Sequence, residues 1–409
     1  MVTTAAVADA VIKDIFYGEG ATAQMRDYNP TLDLFDGTDE DIEGGSNIKF
    51  PIQKQFQQGL GARSEGEDLP IPGKSNYVGC SFALKKLTMS IQITTEAWQK
   101  TKKKGLAAFV NLLTEQAIDV RGGYLRDRNA MMFGDGTGLK TTVTAAATQG
   151  SDVVVTVAST KKIYEGMLID IYERTTDTTP VDSDVEVLSV DVLNSQITLK
   201  TLAADIADDS CIYRAGNKDR EPNGLIGIVN DAGGAAVVQG ITVASNPIWE
   251  ANVLDNAGTT RPITDNLMDL ATRAGRPYTQ RNPDAIIMGE IQARKYANLQ
   301  LVAARLEKSQ KQGKVVLDGG YEKIQYKGIP ITEDPDCDDD IIFFLQIKGQ
   351  MKFWQLSKQP EFLYSPDSKH MWYRLEGKGM FRADAEQFIE FGTKRRNTQT
   401  KLADLETAG

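Results

Sequence analysis

Few residues that could carry out chemistry stand in a pattern that would allow it. His370 is the only histidine among 409 residues, so a catalytic constellation with two histidines is excluded and a zinc site lacks its usual ligands. Its neighbours Met371, Trp372 and Tyr373 predict a packed strand residue rather than a catalyst. A Ser-His-Asp arrangement would need this same histidine, and no serine lies in a nucleophile elbow. The sequence indicates no hydrolytic centre.

The three cysteines do not form a redox or metal motif. Cys80, Cys211 and Cys337 are far apart in the sequence. Three cysteines in so long a chain argue against a disulfide scaffold and fit a reducing compartment.

Two short motifs could suggest ligand sites. A phosphate loop needs a preceding strand, a following helix and a Gly-Lys-Ser/Thr sequence at a set spacing. The glycines of segment 134–138 instead follow a predicted helix, so we interpret them as its end. The acidic segment Asp334–Asp340 lacks the twelve-residue calcium-loop pattern with a closing glutamate. For this segment we expect a solvated turn.

The basic runs leave two interpretations open. Lys100, Lys102, Lys103 and Lys104 precede a predicted long helix. Cations are slightly unfavourable at a helix N-terminus, so they could bind an acidic neighbouring subunit or DNA. The alternative is a solvated charged turn. The run Lys394–Arg396 allows the same two interpretations.

Composition narrows the class of protein. A length of 409 residues allows two or three folded units, and 41% hydrophobic with 25% charged residues is ordinary for a globular protein. The net charge of −10 means that the whole molecule is not a counterion for nucleic acid. No apolar run reaches the ~20 residues of a membrane span, and the N-terminus lacks a signal-peptide pattern. We therefore expect a soluble protein made in a cytosol.

The N-terminal part predicts an arm followed by a long hairpin. Residues 5–17 have helical periodicity, and 18–46 are rich in glycine and acidic residues. Two runs then alternate between apolar and polar residues, on either side of the Gly- and Pro-rich turn 59–76. A shift of phase at Lys85-Lys86 predicts a β-bulge within one hairpin over Asn47–Thr95. The alternating apolar residues are Ile48, Phe50, Ile52 and Phe56, then Val78, Cys80, Phe82 and Leu84.

An isolated hairpin is marginally stable in water, so these apolar side chains need a partner surface. The hairpin could pack on its own domain or reach over a neighbouring subunit. The pattern alone does not decide between the two.

The rest of the chain predicts a long helix, a β-rich insert and a mixed region. Residues 103–133 carry an apolar stripe with helical spacing, interrupted at Gly122-Gly123. Segment 141–222 contains short β-runs that predict a small barrel or sandwich. The tail beyond Lys394 is polar, and we expect it to be loosely held. Between them we predict helices over 263–274 and Glu290–Leu299, and strands at Asp284–Met288, Ile324–Ile331, Ile341–Leu345 and Met351–Leu356.

The order of these elements resembles the tailed-bacteriophage major capsid family, which has the HK-ninety-seven-type fold. The hairpin Asn47–Thr95, the helix end at 129–138 and the segment Tyr326–Cys337 carry the resemblance. Phe381–Asp384 is similar to the closing strand of the family's peripheral domain. The resemblance implies an α+β fold with an arm, an extended loop, a spine helix, peripheral and axial domains, and an inserted β-domain.

The implied domains have the following limits. The arm is 1–46, the extended loop 47–96, the spine-helix region 97–140 and the inserted β-rich domain 141–222. The peripheral domain continues at 223–250 and 365–409, and the axial domain is 251–364.

The resemblance also implies a function. Such a chain is not an enzyme and holds no cofactor or metal; it self-assembles into hexamers and pentamers of an icosahedral head around double-stranded DNA. It belongs to the virion, is made in the bacterial host cytoplasm without contact to a membrane, and works with separate scaffolding, portal and decoration proteins. We do not predict the Lys–Asn cross-links of some members, although Lys54 and Lys74 lie in or near the loop.

In the family the extended loop lies over an adjacent subunit, so the resemblance favours the intersubunit interpretation of the hairpin. The predicted intersubunit residues are Phe50, Ile52, Phe56, Arg63, Glu65, Glu67, Asp68, Phe82 and Leu84. Two alternatives remain: an encapsulin-like nanocompartment shell, and an α/β hydrolase or transferase with an appended β-domain.

Overall fold

The structure is a computed structural model. It describes residues 30–96, 99, 120–174, 178–231, 236–309, 325–357, 360–363 and 372–407. The predicted helix 5–17, the lysine run 100–104 and His370 lie outside these residues.

Strands dominate the described part of the chain up to residue 214. The helix α1 covers residues 120–132 and passes through Gly122-Gly123 without a break. The strands are β1 (Gly37–Thr38), β2 (Ile42–Glu43), β3 (Asn47–Gln55), β4 (Asn76–Ala83), β5 (Lys85–Thr94), β6 (Leu139–Thr142), β7 (Gly150–Thr156), β8 (Leu168–Tyr172), β9 (Pro180–Asp191), β10 (Gln196–Leu202) and β11 (Cys211–Arg214).

Beyond residue 214, helices and strands alternate. The helices are α2 (Leu225–Ile228), α3 (Asp265–Ala274), α4 (Arg276–Thr279) and α5 (Glu290–Ser309), with 3-10 turns at Leu32–Leu34, Pro247–Trp249 and Arg396–Thr398. The strands are β12 (Val237–Val238), β13 (Ile241–Thr242), β14 (Asn252–Leu254), β15 (Ala285–Met288), β16 (Gln325–Tyr326), β17 (Ile329–Glu333), β18 (Ile342–Leu345), β19 (Met351–Gln355), β20 (Glu361–Phe362), β21 (Tyr373–Arg374), β22 (Met380–Thr393) and β23 (Thr400–Leu402).

The long strand β22 organises the first sheet. It pairs with β5 along one edge and with β19, β20 and β21 along the other, and β1 adds in parallel to β19. Ala383, Ala385, Ile389 and Phe391 are buried at alternate positions, which is the period of a strand with one covered face.

The predicted single hairpin over Asn47–Thr95 is wrong in its second half. β3 pairs with β4, and together with β2 they form a separate three-stranded sheet. β5 instead pairs with β22 over its full length, from Lys85 opposite Ile389 to Thr94 opposite Met380. The phase shift in the sequence therefore marks the point where the chain passes from one sheet to another, and no bulge is needed.

Residues 139–214 form a closed barrel. The strand order is β6-β11-β8-β9-β10-β7, and a bridge between Val143 and Val157 joins the last strand to the first. Closure removes both sheet edges. The barrel has its own apolar interior, in which Val155, Ile169, Ile197 and Leu199 are fully buried. The sequence did not predict β6, which begins two residues before the expected insert 141–222 and continues into it.

Another six-stranded sheet is mixed, and we call it the mixed sheet. Its order is β14-β23-β18-β15-β17-β16, with helix α3 against β23. Thr264 begins α3, because its side chain accepts a hydrogen bond from the Leu267 amide at 3.3 Å. The expected strand Ile324–Ile331 is two strands, β16 and β17, since positive φ at Lys327 and Gly328 closes a tight hairpin between them. Helix α5 is longer than predicted.

One core connects the sheet organised by β22 and the mixed sheet with helix α1. Met132 and Phe133 at the end of α1 pack with Phe391 of β22 and with Phe343 and Leu345 of β18. The helix therefore joins the two sheets, whereas the barrel core is separate.

The prediction of a loosely held tail is wrong. β23 lies between β14 and β18 inside the mixed sheet, and Gln399 and Thr400 are buried. Arg396 is fully buried and donates hydrogen bonds to the carbonyls of Ile228, Asn230 and Trp249. Neither interpretation of the run Lys394–Arg396 included a buried arginine. A polar tail can be buried when backbone carbonyls and the edges of strands in the core accept and donate its hydrogen bonds. The domain limits themselves stay a prediction.

Candidate functional site

The most unusual surface of the described chain is the end of the β3–β4 hairpin, which we call the loop (residues 56–75). β3 ends at Gln55 and β4 begins at Asn76, so the loop has no strand ladder. Its large apolar side chains point into solvent: Phe56 is 80% exposed, Leu60 95%, Leu69 85% and Ile71 87%. Grouped exposed apolar residues on a soluble protein mark a surface that becomes covered by a partner.

The loop is not shapeless. Gly59 lies against Pro72 and Gly61 against Pro70, so its two arms run side by side. At the tip, the Ser64 amide donates to the Glu67 carboxylate at 3.1 Å, and Arg63 Nε donates to the Asp68 carbonyl at 2.9 Å. The tip therefore has a preferred conformation, which lowers the entropy lost on binding.

The root of the loop is fastened to the body by aromatic packing. The ring of Phe50 stacks on Trp354 with centroids 5.8 Å apart, and Phe82 meets the same indole edge-on at 5.4 Å. Lys54 Nζ also donates to the Ser245 carbonyl at 2.6 Å. The root is thus rigid while the end of the loop projects.

The predicted intersubunit residues separate into two groups. Phe50 is buried in its own chain, and Ile52, Phe82 and Leu84 are partly buried in the same root cluster. The exposed group lies in the loop and can reach a partner directly; it consists of Phe56, Arg63, Glu65, Glu67 and Asp68. Leu60, Leu69 and Ile71 are exposed as well, but they were not predicted from the sequence, because they lie in the Gly- and Pro-rich segment that was interpreted as a turn.

The acidic segment is not the solvated turn that we expected. Asp334 and Asp336 are buried, and Asn129 of α1 donates its Nδ2 to them at 3.1 and 2.7 Å. The Thr31 amide adds a hydrogen bond to Asp334 at 3.3 Å. Burying two carboxylates is costly unless they are hydrogen-bonded, so this cluster fixes the segment to the helix.

Lysines of the barrel satisfy the next two carboxylates of the segment. Lys161 Nζ lies 2.7 Å from Asp339 Oδ1, and Lys162 Nζ lies 3.2 Å from Asp338 Oδ1. These pairs line a cavity of about 690 Å³ between the barrel, the end of α1 and the mixed sheet. The arrangement holds the barrel against the body.

The buried ion pair Lys140–Glu221 ties the two chain connections of the barrel together. Lys140 Nζ lies 2.9 Å from Glu221 Oε1, both side chains are almost completely covered, and Asn217 Nδ2 donates to the same oxygen at 2.9 Å. Gly138 must be a glycine, because φ is +84° and an added Cβ would lie 2.9 Å from the Asn217 carbonyl oxygen.

The groups whose pKa values are raised most are buried side chains of the core. Burial raises the pKa of the Cys80 thiol to about 12 and that of Cys337 well above its ordinary value. A nucleophilic cysteine needs a lowered pKa, so neither thiol suits catalysis. Burial also raises the pKa of Glu390 to about 8, although its carboxylate accepts the Asn223 amide at 2.7 Å.

The described residues contain neither a cluster of metal ligands nor a helix that could span a membrane. Among them, no three His, Cys, Asp or Glu side chains are grouped so as to hold a metal ion. No helix in the same part of the chain is long and apolar enough to cross a bilayer.

Comparison with known sequences gives no match. No protein-family model matches the chain, and no curated protein matches it.

Comparison with solved structures is informative. The chain is similar to a chain of the cyanophage A-1(L) capsid with a TM-score of 0.56 at 13% identity, covering 96% of this chain and 99% of that one. The capsid of a native GTA particle gives 0.49 at 11% identity, covering 99% and 100%. An encapsulin complex from Synechococcus elongatus gives 0.45 at 8% identity, covering 97% and 96%.

At so low an identity the match to the cyanophage capsid shows the fold, and it does so over nearly the whole of both chains. The described residues form many strands and few helices, as in the capsid fold that the sequence order indicated. The chain therefore has the α+β fold of a tailed-phage major capsid protein, as the resemblance of its sequence predicted.

Proposed function

We propose that the chain is the major capsid protein of a tailed bacteriophage, which assembles through hexamers and pentamers into an icosahedral head that encloses double-stranded DNA. The loop carries this proposal. It combines a preferred shape with apolar side chains that no described part of its own fold covers. Exposure of such an apolar surface to water is unfavourable, and contact between identical subunits of a shell would cover it.

The energetics favour apolar contact over ion pairing. Burying a Leu, Ile or Phe side chain contributes roughly 1.5–3 kcal/mol, whereas an exposed ion pair contributes about 0–1 kcal/mol. The four exposed apolar residues of the loop should therefore dominate cohesion between copies. The charged residues at its tip should set the register of the contact.

The remaining parts of the proposal follow from the same role. The chain is a structural protein without catalysis of its own, located in the virion and assembled in the host cytoplasm. Scaffolding, portal and decoration functions belong to separate proteins. The domain limits given by the sequence are proposed to hold, and the barrel is proposed to brace or decorate the outer face.

Removal of the loop tests the proposal. Deleting residues 59–76 and joining the arms with a short glycine linker should give soluble subunits or capsomers without closed shells. Electron microscopy and sedimentation of the purified proteins compare the variant with the full chain. Normal shells from the deletion variant would refute the role of the loop. A uniform monomer or dimer of the full chain at all salts and concentrations would refute the capsid function and favour an enzyme.

The contents of the particles distinguish a phage head from a nanocompartment. Native particles should contain nuclease-resistant genomic DNA. Particles that contain a cargo enzyme and no protected DNA would support the encapsulin-like alternative.

A further inference from the structure

A groove lies between β5, α1 and the base of the barrel. Its volume is about 590 Å³, and Leu87, Met89, Val120 and Met131 form part of its apolar lining. Gly123 of α1 lies on it, and an added Cβ there would contact no atom within 4 Å. A glycine at an open helix surface allows the backbone of another chain to approach closely.

The walls of the groove are cationic. Lys86, Arg128, Arg214 and Arg220 line it, together with the acidic residues Asp127 and Glu221. Three ion pairs already lie along these walls: Asp127 with Arg214, Glu221 with the buried Lys140, and Lys86 with Glu386. Counted with these partners, the walls still carry more cations than carboxylates. Arg220 is exposed and donates only its Nη1 to the Gly216 carbonyl, at 3.2 Å, among the hydrogen bonds of the described residues. An incoming carboxylate therefore meets net positive charge.

The tip of the loop has the complementary character. Glu65 and Asp68 are exposed beside the apolar Leu69, while the Glu67 carboxylate is used within the turn. From Asn47 to Glu65 the chain can span roughly 60 Å at ~3.3 Å per residue, which is enough to cross a neighbouring subunit.

We propose that the groove receives the loop tip of a second copy of the chain, with the carboxylates of Glu65 and Asp68 against Lys86 and Arg220. Leu69 and Leu60 lie over the apolar floor of the groove, and Gly123 gives room for the backbone of the tip. The proposal rests on the proposed function and deepens it, because it names the surface on which one copy holds the next.

Charge reversal on both sides tests the pairing. The variants R220E and E65K/D68K should each raise the subunit concentration needed for shell formation by roughly tenfold or more, since like charges then face each other. The combined variant E65K/D68K/R220E restores opposite charges and should assemble nearly as the unaltered chain does. Glu67 is left intact in every variant so that the turn of the tip is kept.

A matched control separates local pairing from net charge. Arg174 is an exposed cation of the barrel, far from the groove in sequence, with 66% of its side chain exposed. R174E alone should leave assembly unchanged. E65K/D68K/R174E has the same net charge as the rescuing variant and should not assemble. Thermal unfolding of the subunits checks that each variant is folded.

A zero-length carbodiimide cross-link tests independently whether the loop tip of one copy lies close to the groove of another. In shells assembled from a mixture of heavy- and light-isotope subunits, the carboxylates of Glu65 or Asp68 should couple to Lys86, and half of the linked peptides should carry mixed labels. Shells that form without this cross-link, together with normal assembly of R220E, would overturn the groove while leaving the proposed function intact. Failure of the unaltered chain to form any shell would overturn the proposed function itself.

Discussion

The barrel and the loop both carry apolar side chains that are favourably removed from water, but they differ in where those side chains lie. The barrel closes its sheet through the Val143–Val157 bridge and buries a complete apolar interior of its own. The loop leaves its strand ladder at Gln55 and presents Phe56, Leu60 and Ile71 to solvent. Both segments contain apolar residues and turns, yet among the described residues only the barrel buries its apolar side chains.

The difference indicates where stability and assembly reside. Changes in the barrel should alter the free energy of unfolding of the subunit, because its core is intramolecular. Changes in the loop should alter association between copies and leave the subunit unchanged. Independent sites without shared contacts are expected to behave additively, so the two effects can be separated by experiment.

The largest effect is expected in the loop. Replacing Phe56, Leu60, Leu69 and Ile71 together by serine removes about 6 kcal/mol or more of apolar burial per contact. Shells should be lost in sedimentation and electron microscopy, with an unchanged melting temperature of the subunit. The matched control is Val192→Ser with Leu193→Ser at a barrel turn, where the two side chains are 71% and 96% exposed. If the control abolished assembly as well, exposure alone rather than the loop would decide it.

The next largest effect is expected where the barrel joins the body. Lys140→Met leaves Glu221 buried without its cation and should cost about 3–5 kcal/mol. Chemical denaturation measures the change. The double variant Lys140→Met with Glu221→Leu removes both charges and should recover most of the loss. Equal destabilisation by the single and double variants would contradict the view that the ion pair acts as a unit.

A core truncation in the barrel should be slightly smaller. Leu199→Ala creates a cavity in the closed interior and should lower the free energy of unfolding by about 2–5 kcal/mol. Below the melting temperature its shells should form normally, which is the reverse of the loop variant. Leu188→Ala on the same barrel, with 39% of the side chain exposed, is the control and should cost much less. If Leu199→Ala abolished shells without lowering the free energy of unfolding of the subunit, the barrel would also control assembly, contrary to the distinction between barrel and loop.

The smallest effect at each step of the measurement, per pH unit, concerns Glu390, whose carboxylate accepts a hydrogen bond from the Asn223 amide at the exit of the barrel. Its pKa is raised to about 8 in the folded chain from an ordinary 4.5. The folded state keeps the proton while the unfolded state releases it, so stability falls as pH rises from about 4.5 to 8, by roughly 1 kcal/mol per pH unit. Glu390→Gln should flatten this slope in denaturation curves and be neutral near pH 4. The exposed Glu165→Gln serves as control; an unchanged slope in Glu390→Gln would show that other groups cause it.

Much of the fold could be predicted from local pattern. Alternation identified β3 and β4, because burial of one face imposes a period on the sequence. Short β-runs between turns identified most barrel strands. The apolar stripe over 103–133 predicted a helix, and α1 is the part of it that the structure describes. The exposed charges of the loop were also predictable, since Gly, Pro and acidic residues together indicate a turn. The partners of β5 and β23 were not, because a strand carries no mark of which sheet it joins.

The sequence by itself determined the local elements, the scarcity of catalytic groups and the order that resembles a capsid fold. Only the tertiary structure decided that Asp334, Asp336 and Arg396 are core rather than surface. Their burial depends on hydrogen-bond partners that lie more than a hundred residues away, such as Asn129 for the acids and Ile228 for the arginine. It also decided that the described residues leave the apolar side chains of the loop exposed, since exposure depends on the whole arrangement of the chain. The pattern of residue types shows which side chains a segment can bury. The folded chain determines which of these apolar side chains remain exposed and available for a contact with another molecule.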